Sequence, residues 1–192
     1  MTKRMNSPAS SGSIKPGLEP DDTGLFVSPL PVKNAGLVLC QSYIPVLLER
    51  LNLVEQDQFV SPESRLSAVH YLRYLVTGQT TGQDLLLDKL ICGVPLTVPI
   101  EQDFTVSQSD AEMIDSLLES LVNYWPAIGS SSIEGFRGNW LLREGTLSEA
   151  SESWNLIVEK RSYDILLERF PLAYSVVKLP WMSKPLHVTW PT

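Results

Sequence analysis

The chain is poor in the residues that bind metals and form disulfides. Its 192 residues include only two cysteines and two histidines, and these do not have the spacing of a zinc site. Cys40 and Cys92 both lie in apolar runs, which are typical surroundings of reduced, buried thiols. We therefore expect neither a metal site nor a disulfide framework, and a reducing cytosol is the simplest setting.

Long hydrophobic runs are also missing. The first residues do not have the pattern of a signal peptide, and no later run approaches the roughly 18 apolar residues that a membrane span requires. We expect a cytoplasmic, soluble protein without a membrane partner, unless a larger assembly carries it elsewhere.

Basic residues are also fewer than acidic ones. The chain has 15 Lys and Arg against 22 Asp and Glu, which gives a net charge of −7. The segment 159–192 has a slight basic excess, but acidic residues are interleaved with the basic ones. This pattern is too weak to form a groove for a phosphate backbone, so we expect no nucleic-acid partner.

Apolar residues, in contrast, are sufficient for one hydrophobic core. They make up 43% of the chain, and a domain of this size buries about two-thirds of the surface that its unfolded chain exposes. Residues 1–33 are rich in Ser, Pro and Gly, so we predict a flexible N-terminal lead there. Residues 34–192 are predicted to form a single globular domain.

Capping signals indicate where the first helices begin and end. Asn34 is predicted to cap a first helical segment that extends to about Leu51. Ser61 followed by Pro62 marks the start of the next helix, and Gly78 marks its end. The apolar residues between these signals keep helical spacing, which predicts that this helix is central.

Three further helices are predicted by the same reasoning. The first runs from Leu85 to Gly93, because a glycine can adopt the left-handed conformation that closes a helix. Asp110 is predicted to cap the next, whose apolar residues keep a three-and-four spacing until Pro126 stops it. A shorter helix over 133–142 is predicted to bend near its glycines.

The hydrophobic period changes after Gly145. Alternating residues predict strands over 154–158, 175–179 and 186–190, with a helical turn over 163–168 between the first two. The predicted fold class is therefore α+β, a mostly helical body with a small antiparallel β-sheet at the C-terminal end.

A thiol enzyme is one alternative to a binding protein. Cys40 or Cys92 would need His70 or His187 within hydrogen-bond distance of its sulfur. His70 lies in a packed apolar run, and His187 lies on the strand face opposite the apolar residues. The pattern therefore favours structural roles for both histidines.

Two other patterns suggest chemistry but have simpler explanations. Glu112, Asp115 and Glu119 share one helix face, as a general acid and base would, yet that face points away from the apolar stripe and favours a solvated surface. The glycine-flanked segment 135–138 resembles a loop that clamps single-stranded RNA. A four-residue match is weak, and the acidic charge argues against it.

Aromatic residues in the C-terminal third divide into core and contact candidates. Trp154 and Trp190 alternate with polar neighbours, which favours the core. The Trp181-Met182 pair lies between two prolines and suits an exposed anchor for a partner. We predict a protein-interaction set of four residues: Phe136, Arg137, Trp181 and Met182.

Several short blocks occur in an informative order along residues 34–182. They are NAGLVL at 34–39, YIPVLLERL at 43–51, LLDKLICGVPL at 86–96, WP at 125–126, EGFRG at 134–138, LLREG at 141–145 and KLPWM at 178–182. Their order and spacing together resemble the C-terminal region of contractile injection system tape measure proteins.

The resemblance implies membership of a bacterial phage-tail-like particle, in which a tube and a contractile sheath grow on a baseplate to a length that the tape measure sets. It implies no catalysis, cofactor or small-molecule substrate, and partners among tube, baseplate or assembly factors. As one helix the chain would reach only about 290 Å, and most of it is predicted to be compact. We therefore expect the terminal domain without the long helical ruler, as a short paralogue, a split gene product or an anchoring module.

These observations predict a non-enzymatic structural or assembly module that docks on another component of a contractile particle. Two alternatives stay open. The first is a cargo adaptor that uses the Ser/Pro-rich lead as its tether, and the second is the thiol enzyme that uses Cys40 or Cys92.

Overall fold

The computed structural model describes residues 28–82 and 84–192, so residues 1–27 of the predicted lead lie outside the described residues. The end of that lead is part of the folded body. Strand β1 (Leu30–Val32) pairs antiparallel with strand β4 (Gly145–Glu149). Its first and third side chains are buried while Pro31 is exposed, so three residues are enough to join the sheet.

The first predicted helix is two separate segments. A 3-10 helix spans Ala35–Cys40 and helix α1 spans Ile44–Arg50. Asn34 precedes the 3-10 helix, but its side chain makes no capping hydrogen bond, because its amide donates to Asp88 instead. Every residue of Ala35–Cys40 is buried, so this segment has no solvated face and tertiary contacts decide its geometry.

A short hairpin connects α1 to the next helix. Strands β2 (Val54–Glu55) and β3 (Gln58–Phe59) pair antiparallel, and the two loop residues, Gln56 and Asp57, have φ angles of 49° and 62°. Two successive positive φ angles are typical of the tight turns that match strand twist. Asn and Gly usually mark such a turn, which explains why the sequence did not predict it.

Helix α2 (Pro62–Thr77) has the predicted ends. The Ser61 hydroxyl accepts a hydrogen bond from the Ser64 amide at 3.1 Å, and Gly78 closes the helix with a φ of 70°. The side chains buried along α2 follow the predicted apolar spacing. Local capping chemistry is therefore sufficient to define this helix.

Helices α3 (Leu86–Ile91) and α4 (Gln108–Tyr124) also lie where the spacing predicts them. The predicted cap of α4 is wrong by one turn, because the hydroxyl of Ser107 accepts the hydrogen bond from the Asp110 amide. The Asp110 carboxylate accepts a hydrogen bond from the Tyr71 hydroxyl at 2.7 Å and so links α4 to α2.

The helix predicted over 133–142, with a bend near its glycines, consists of two kinds of helix. Helix α5 (Ile133–Phe136) is followed directly by a π-helical turn, Arg137–Leu141. The wider turn places Trp140 and Leu141 in the core.

Among the described residues, five strands form the main sheet in the order β1-β4-β5-β7-β6, where β5 is Trp154–Val158, β6 is Val176–Val177 and β7 is Leu186–Thr189. The predicted α+β class is confirmed, with a mixed sheet in place of a purely antiparallel one. Strands β5 and β7 are parallel and the other pairs are antiparallel. The intervening chain, with a 3-10 helix at Asp164–Arg169, is long enough for the crossover that a parallel pair requires.

The outer edge of β6 is closed by a side chain. The amide of Gln41 donates to the carbonyl oxygens of Ala173 and Val176, at 2.7 and 3.1 Å. Gln41 directly follows the buried 3-10 helix. This contact therefore connects the helical body to β6, the strand at one edge of the sheet.

One hydrophobic cluster joins the inner face of the sheet to the helices. Trp154 and Trp190 belong to it, as predicted. The Ala35–Cys40 segment lies between β5 and the π-helical turn, and Gly36 packs directly on the backbone of that turn. A methyl group on Gly36 would overlap the carbonyl oxygen of Trp140.

We expect Gly36→Ala to lower the free energy of unfolding by at least about 3 kcal/mol, because neither backbone segment can move without disturbing the core. Gly138→Ala is the matched control, since a methyl group there meets no atom within 4 Å. Urea unfolding followed by circular dichroism measures both. Equal stability of the two variants would contradict the proposed backbone contact.

Candidate functional site

Phe136 and Arg137 stabilise the folded body from within. Phe136 is fully buried. The Arg137 guanidinium donates to the carbonyl oxygen of Leu75 at 2.9 Å and pairs with Asp115 at 3.1 Å. It therefore places a cation at the C-terminal carbonyls of α2, where the helix dipole favours one. Phe136 is therefore not accessible to a partner, and the charge of Arg137 is paired within the protein.

Trp181 and Met182 also have internal contacts. The Trp181 indole donates to the carbonyl oxygen of Ile91 at 2.8 Å, and its ring packs on Phe59 with centroids 5.0 Å apart. Met182 is buried, and its carbonyl oxygen accepts a hydrogen bond from the Lys178 ammonium group. Met182 is therefore not exposed, whereas Trp181 is partly buried and holds α3 and the β2–β3 hairpin to the body.

The thiol-enzyme alternative is not supported by the surroundings of either cysteine. Cys40 and Cys92 are both fully buried, free thiols. Burial raises the pKa of Cys40 to about 12 against an opposing effect of the Arg137 charge, and it raises the pKa of Cys92 well above its usual value. Both thiols are therefore protonated at neutral pH and are poor nucleophiles.

The two histidines lie in different surroundings. His70 is buried and stacks on Phe104, with ring centroids 4.5 Å apart, and burial lowers its pKa. His187 is exposed on the outer face of β7. These positions agree with the structural roles that the sequence pattern favours for the two histidines.

We expect Cys40 and Cys92 to resist iodoacetamide in the folded protein at pH 7, because burial keeps both thiols protonated and out of contact with solvent. Mass spectrometry after timed labelling measures the reaction. Complete labelling of both cysteines in urea is the control. Rapid alkylation of either cysteine without denaturant would contradict this assignment.

The carboxylates on α4 have different roles from one another. Glu112 and Glu119 are exposed, as predicted, whereas Asp115 pairs with Arg137. Within residues 28–82 and 84–192, no group of His, Cys, Asp and Glu side chains has the arrangement of a metal site. In the same residues, no helix combines the length and hydropathy of a membrane-spanning segment.

A buried ion pair that the sequence analysis missed joins the sheet to the turn Asp164–Arg169. Both side chains, Arg143 and Asp164, are fully buried. The guanidinium donates to both carboxylate oxygens, at 2.8 and 2.7 Å, and also to the carbonyl oxygen of Glu159. Two parallel hydrogen bonds are the strongest arrangement of this pair.

Aromatic rings and additional donors complete this ion pair. The Arg143 guanidinium lies 5.1 Å from the ring centroid of Trp190, whose indole donates to Asp164 at 3.1 Å. Burial alone would raise the pKa of Asp164, but hydrogen bonds from Arg143, the Arg161 amide and Trp190 lower it below the ordinary value. Asp164 is therefore ionised at neutral pH, and its charge is balanced locally.

Sequence signals for this pair are faint. Arg143 directly follows two leucines, and Asp164 lies between a tyrosine and an isoleucine. The first charge therefore ends an apolar run, and the second interrupts one. Charged residues are almost never fully buried unless they are paired. Such interruptions identify candidates for a buried pair, but they do not show which charges meet.

We expect Arg143→Met to destabilise the protein by about 3–5 kcal/mol, because it leaves a buried carboxylate without its partner. Lys184→Met is the control. Lys184 pairs with Glu149 at 2.7 Å but is partly exposed, so the expected loss is about 1 kcal/mol. Urea unfolding at pH 7 measures both variants, and equal losses would contradict the assignment.

The pH dependence of this pair follows from the lowered pKa of Asp164. Its stabilisation is complete above the unfolded-state pKa of about 4 and is lost as the pH falls through the folded-state value. The Arg143→Met variant is therefore expected to lose less stability than the unmodified protein between pH 5 and pH 2.

An apolar groove on the described surface lies between α1 and α4. It has a volume of about 580 Å³, and Val46 on its α1 side is 49% exposed. Tyr43, Met113 and Leu117 supply further apolar wall, serines are interspersed, and Arg50 provides a positive charge. We call these residues the α1–α4 groove. An exposed apolar wall with a few polar groups is typical of a contact surface.

A second groove lies beside the loop after α3 and has a different character. Its volume is about 330 Å³, and the pair of Lys184 and Glu149 lines it. Its apolar lining residues, such as Leu96, Trp154 and Met182, are already buried within the chain. Covering this groove would remove little additional apolar surface from water, so the α1–α4 groove is the better candidate for protein contact.

Comparison with known proteins gives one family. The family model described as contractile injection system tape measure protein matches residues 3–190. No curated protein and no solved structure matches the chain. The matched span contains every strand and helix described above, together with the buried ion pair and the α1–α4 groove. It confirms the resemblance found in the short sequence blocks and applies to the whole folded body.

Proposed function

Because the chain belongs to the contractile injection system tape measure protein family, we propose that it is a structural module that enters a contractile particle by binding one of its protein components. The family is structural and not enzymatic. The span of the family match carries this proposal, since it covers the complete folded body and not a short motif.

The use of the polar residues supports a binding role. Arg143, Asp164 and Arg137 have side-chain partners inside the protein, and both thiols are buried. At the α1–α4 groove, the residues available to another molecule are chiefly apolar and hydroxyl-bearing ones. Such residues suit shape-dependent protein contact and not acid–base or nucleophilic chemistry.

The α1–α4 groove is the proposed contact surface on this body. Its serine hydroxyls can hydrogen-bond to a partner backbone, and its exposed apolar wall gains free energy when a partner covers it. The particle component that docks there should present an apolar side chain, such as Leu or Phe, beside an acidic group that faces Arg50.

We expect Val46→Glu to reduce incorporation into particles at least tenfold, because it places a charge in the apolar wall. Val46 is the third residue of α1, where an acidic side chain suits the helix dipole, so the fold should be retained. Quantitative mass spectrometry of purified particles from the producing bacterium, with each variant replacing the natural chain, measures incorporation.

Val176→Glu is the matched control for this experiment. Val176 has a similar exposure, 47%, but lies on the sheet, so incorporation should stay within about twofold of the natural level. Circular dichroism checks that both variants fold. Unchanged incorporation of Val46→Glu would exclude this groove, and particles of unchanged number and composition after deletion of the gene would exclude a structural role altogether.

A cargo adaptor would behave differently in a truncation experiment. Removal of residues 1–27 leaves β1 in place, so a protein that docks through the α1–α4 groove should keep its particle partner. An adaptor that uses the lead as its tether should lose its cargo. Pull-down from the producing cells, with folding checked by circular dichroism, distinguishes the two.

A further inference from the structure

Asn34 and Asp88 form a buried polar contact that the proposed function does not use. Asn34 lies between β1 and the Ala35–Cys40 3-10 helix, and Asp88 lies on α3. Their exposed fractions are 1% and 0%. The Asn34 side-chain amide donates through Nδ2 to Oδ2 of Asp88 at 2.9 Å. This contact joins two segments that are 54 residues apart in sequence.

One side-chain oxygen of each residue is left without a donor. Oδ1 of Asn34 and Oδ1 of Asp88 are both buried and have no hydrogen-bond partner. An ionised Asp88 has only acceptor oxygens, so neither of these atoms could satisfy the other, and a buried acceptor without a donor is costly. A proton on Asp88 would remove this conflict.

A carboxylic acid and a carboxamide are complementary, since each offers one donor and one acceptor on the same edge. We propose that Asp88 is protonated in the folded protein below neutral pH and donates from Oδ1 to Oδ1 of Asn34. The two side chains then form a reciprocal pair, here called the acid–amide latch, which opens when Asp88 ionises.

The charged groups around Asp88 come from two sides. The charge of Arg73 on α2 favours ionisation of Asp88, as do hydrogen bonds from the Asp88 backbone amide and from Asn34. The charge of Asp84, which precedes α3, opposes it. Arg73 also donates to the carbonyl oxygen of Asp84 at 3.1 Å. Cys92 at the end of α3 is a protonated thiol, and the charge of Arg65 on α2 acts on it. Burial has the largest effect and raises the pKa of Asp88 to about 7.

The backbone around Asn34 connects the latch to the elements on either side of it. The Asn34 carbonyl oxygen accepts a hydrogen bond from the Leu37 amide, and the Ala35 amide donates to the carbonyl oxygen of Arg143, each at 2.9 Å. The latch therefore positions the start of the 3-10 helix beside the buried ion pair. Its opening would loosen β1 and the segment after it, which connect residues 1–27 to the body.

The sign of the pH effect follows from the raised pKa. Between the unfolded value of 3.8 and the folded value of about 7, the folded protein holds a proton that the unfolded chain has lost. Stability from this group therefore decreases as the pH rises through that window and is constant above it. Buried His70, with a lowered pKa, contributes in the opposite direction, so a comparison of variants is needed.

Asp88→Asn in the full chain is the central test, with Asp103→Asn as control because Asp103 is exposed. The new carboxamide keeps one donor and one acceptor but cannot ionise. We expect the ratio of the folding equilibrium constants of Asp88→Asn and the unmodified protein to increase by at least tenfold from pH 5 to pH 8. For Asp103→Asn the same ratio should stay constant. Urea unfolding at both pH values measures these constants.

Two results would overturn the proposal. A ratio that stays constant or decreases from pH 5 to pH 8 would mean that Asp88 is ionised in the folded protein and balanced by Arg73. Infrared spectroscopy of the unmodified protein provides an independent measurement. A carbonyl band of a protonated carboxylic acid should be present at pH 5 and lost by pH 8, and its absence at pH 5 would exclude the latch even if Asp88→Asn does not fold.

Discussion

The buried pair of Arg143 and Asp164 is the interaction on which the architecture depends most. Its two charges are compensated only when β4, the end of β5 and the Asp164–Arg169 turn are all in place, because the guanidinium contacts Asp164 and the Glu159 carbonyl oxygen together. The carbonyl oxygen of Arg143 also accepts the Ala35 amide. Any arrangement that buries one of these charges without the other is strongly disfavoured, so this pair favours one arrangement of sheet and helices.

The sequence predicts contacts between residues that are close in the chain better than contacts between residues that are far apart in it. Local signals are reliable here: Ser61 and Gly78 define α2 correctly because both caps involve residues within a few positions. Asn34 has the same chemistry as a helix cap, yet it bonds to Asp88 on another helix. The parallel pairing of β5 and β7 likewise depends on a crossover that periodicity does not encode.

The candidate site was less accessible to sequence reasoning than the fold. Phe136 and Met182 have the composition of contact residues, but aromatic and methionine side chains fill interiors as readily as interfaces, and here they are buried. Val46 gives no comparable signal, because a valine in an amphipathic helix is usually part of the core. The structure shows that Val46 lines the groove between α1 and α4 and is about half exposed.

Gln41 and Pro31 limit how another chain can pair with the two edges of the main sheet. At β6, the Val176 carbonyl oxygen already accepts from Gln41, and at β1, Pro31 has no amide hydrogen to offer an incoming strand. Polymerisation by continuous hydrogen-bonded ribbons is therefore disfavoured at both ends of the sheet. Side-chain recognition does not need a free strand edge, and it can be selective and reversible where backbone pairing would be indiscriminate.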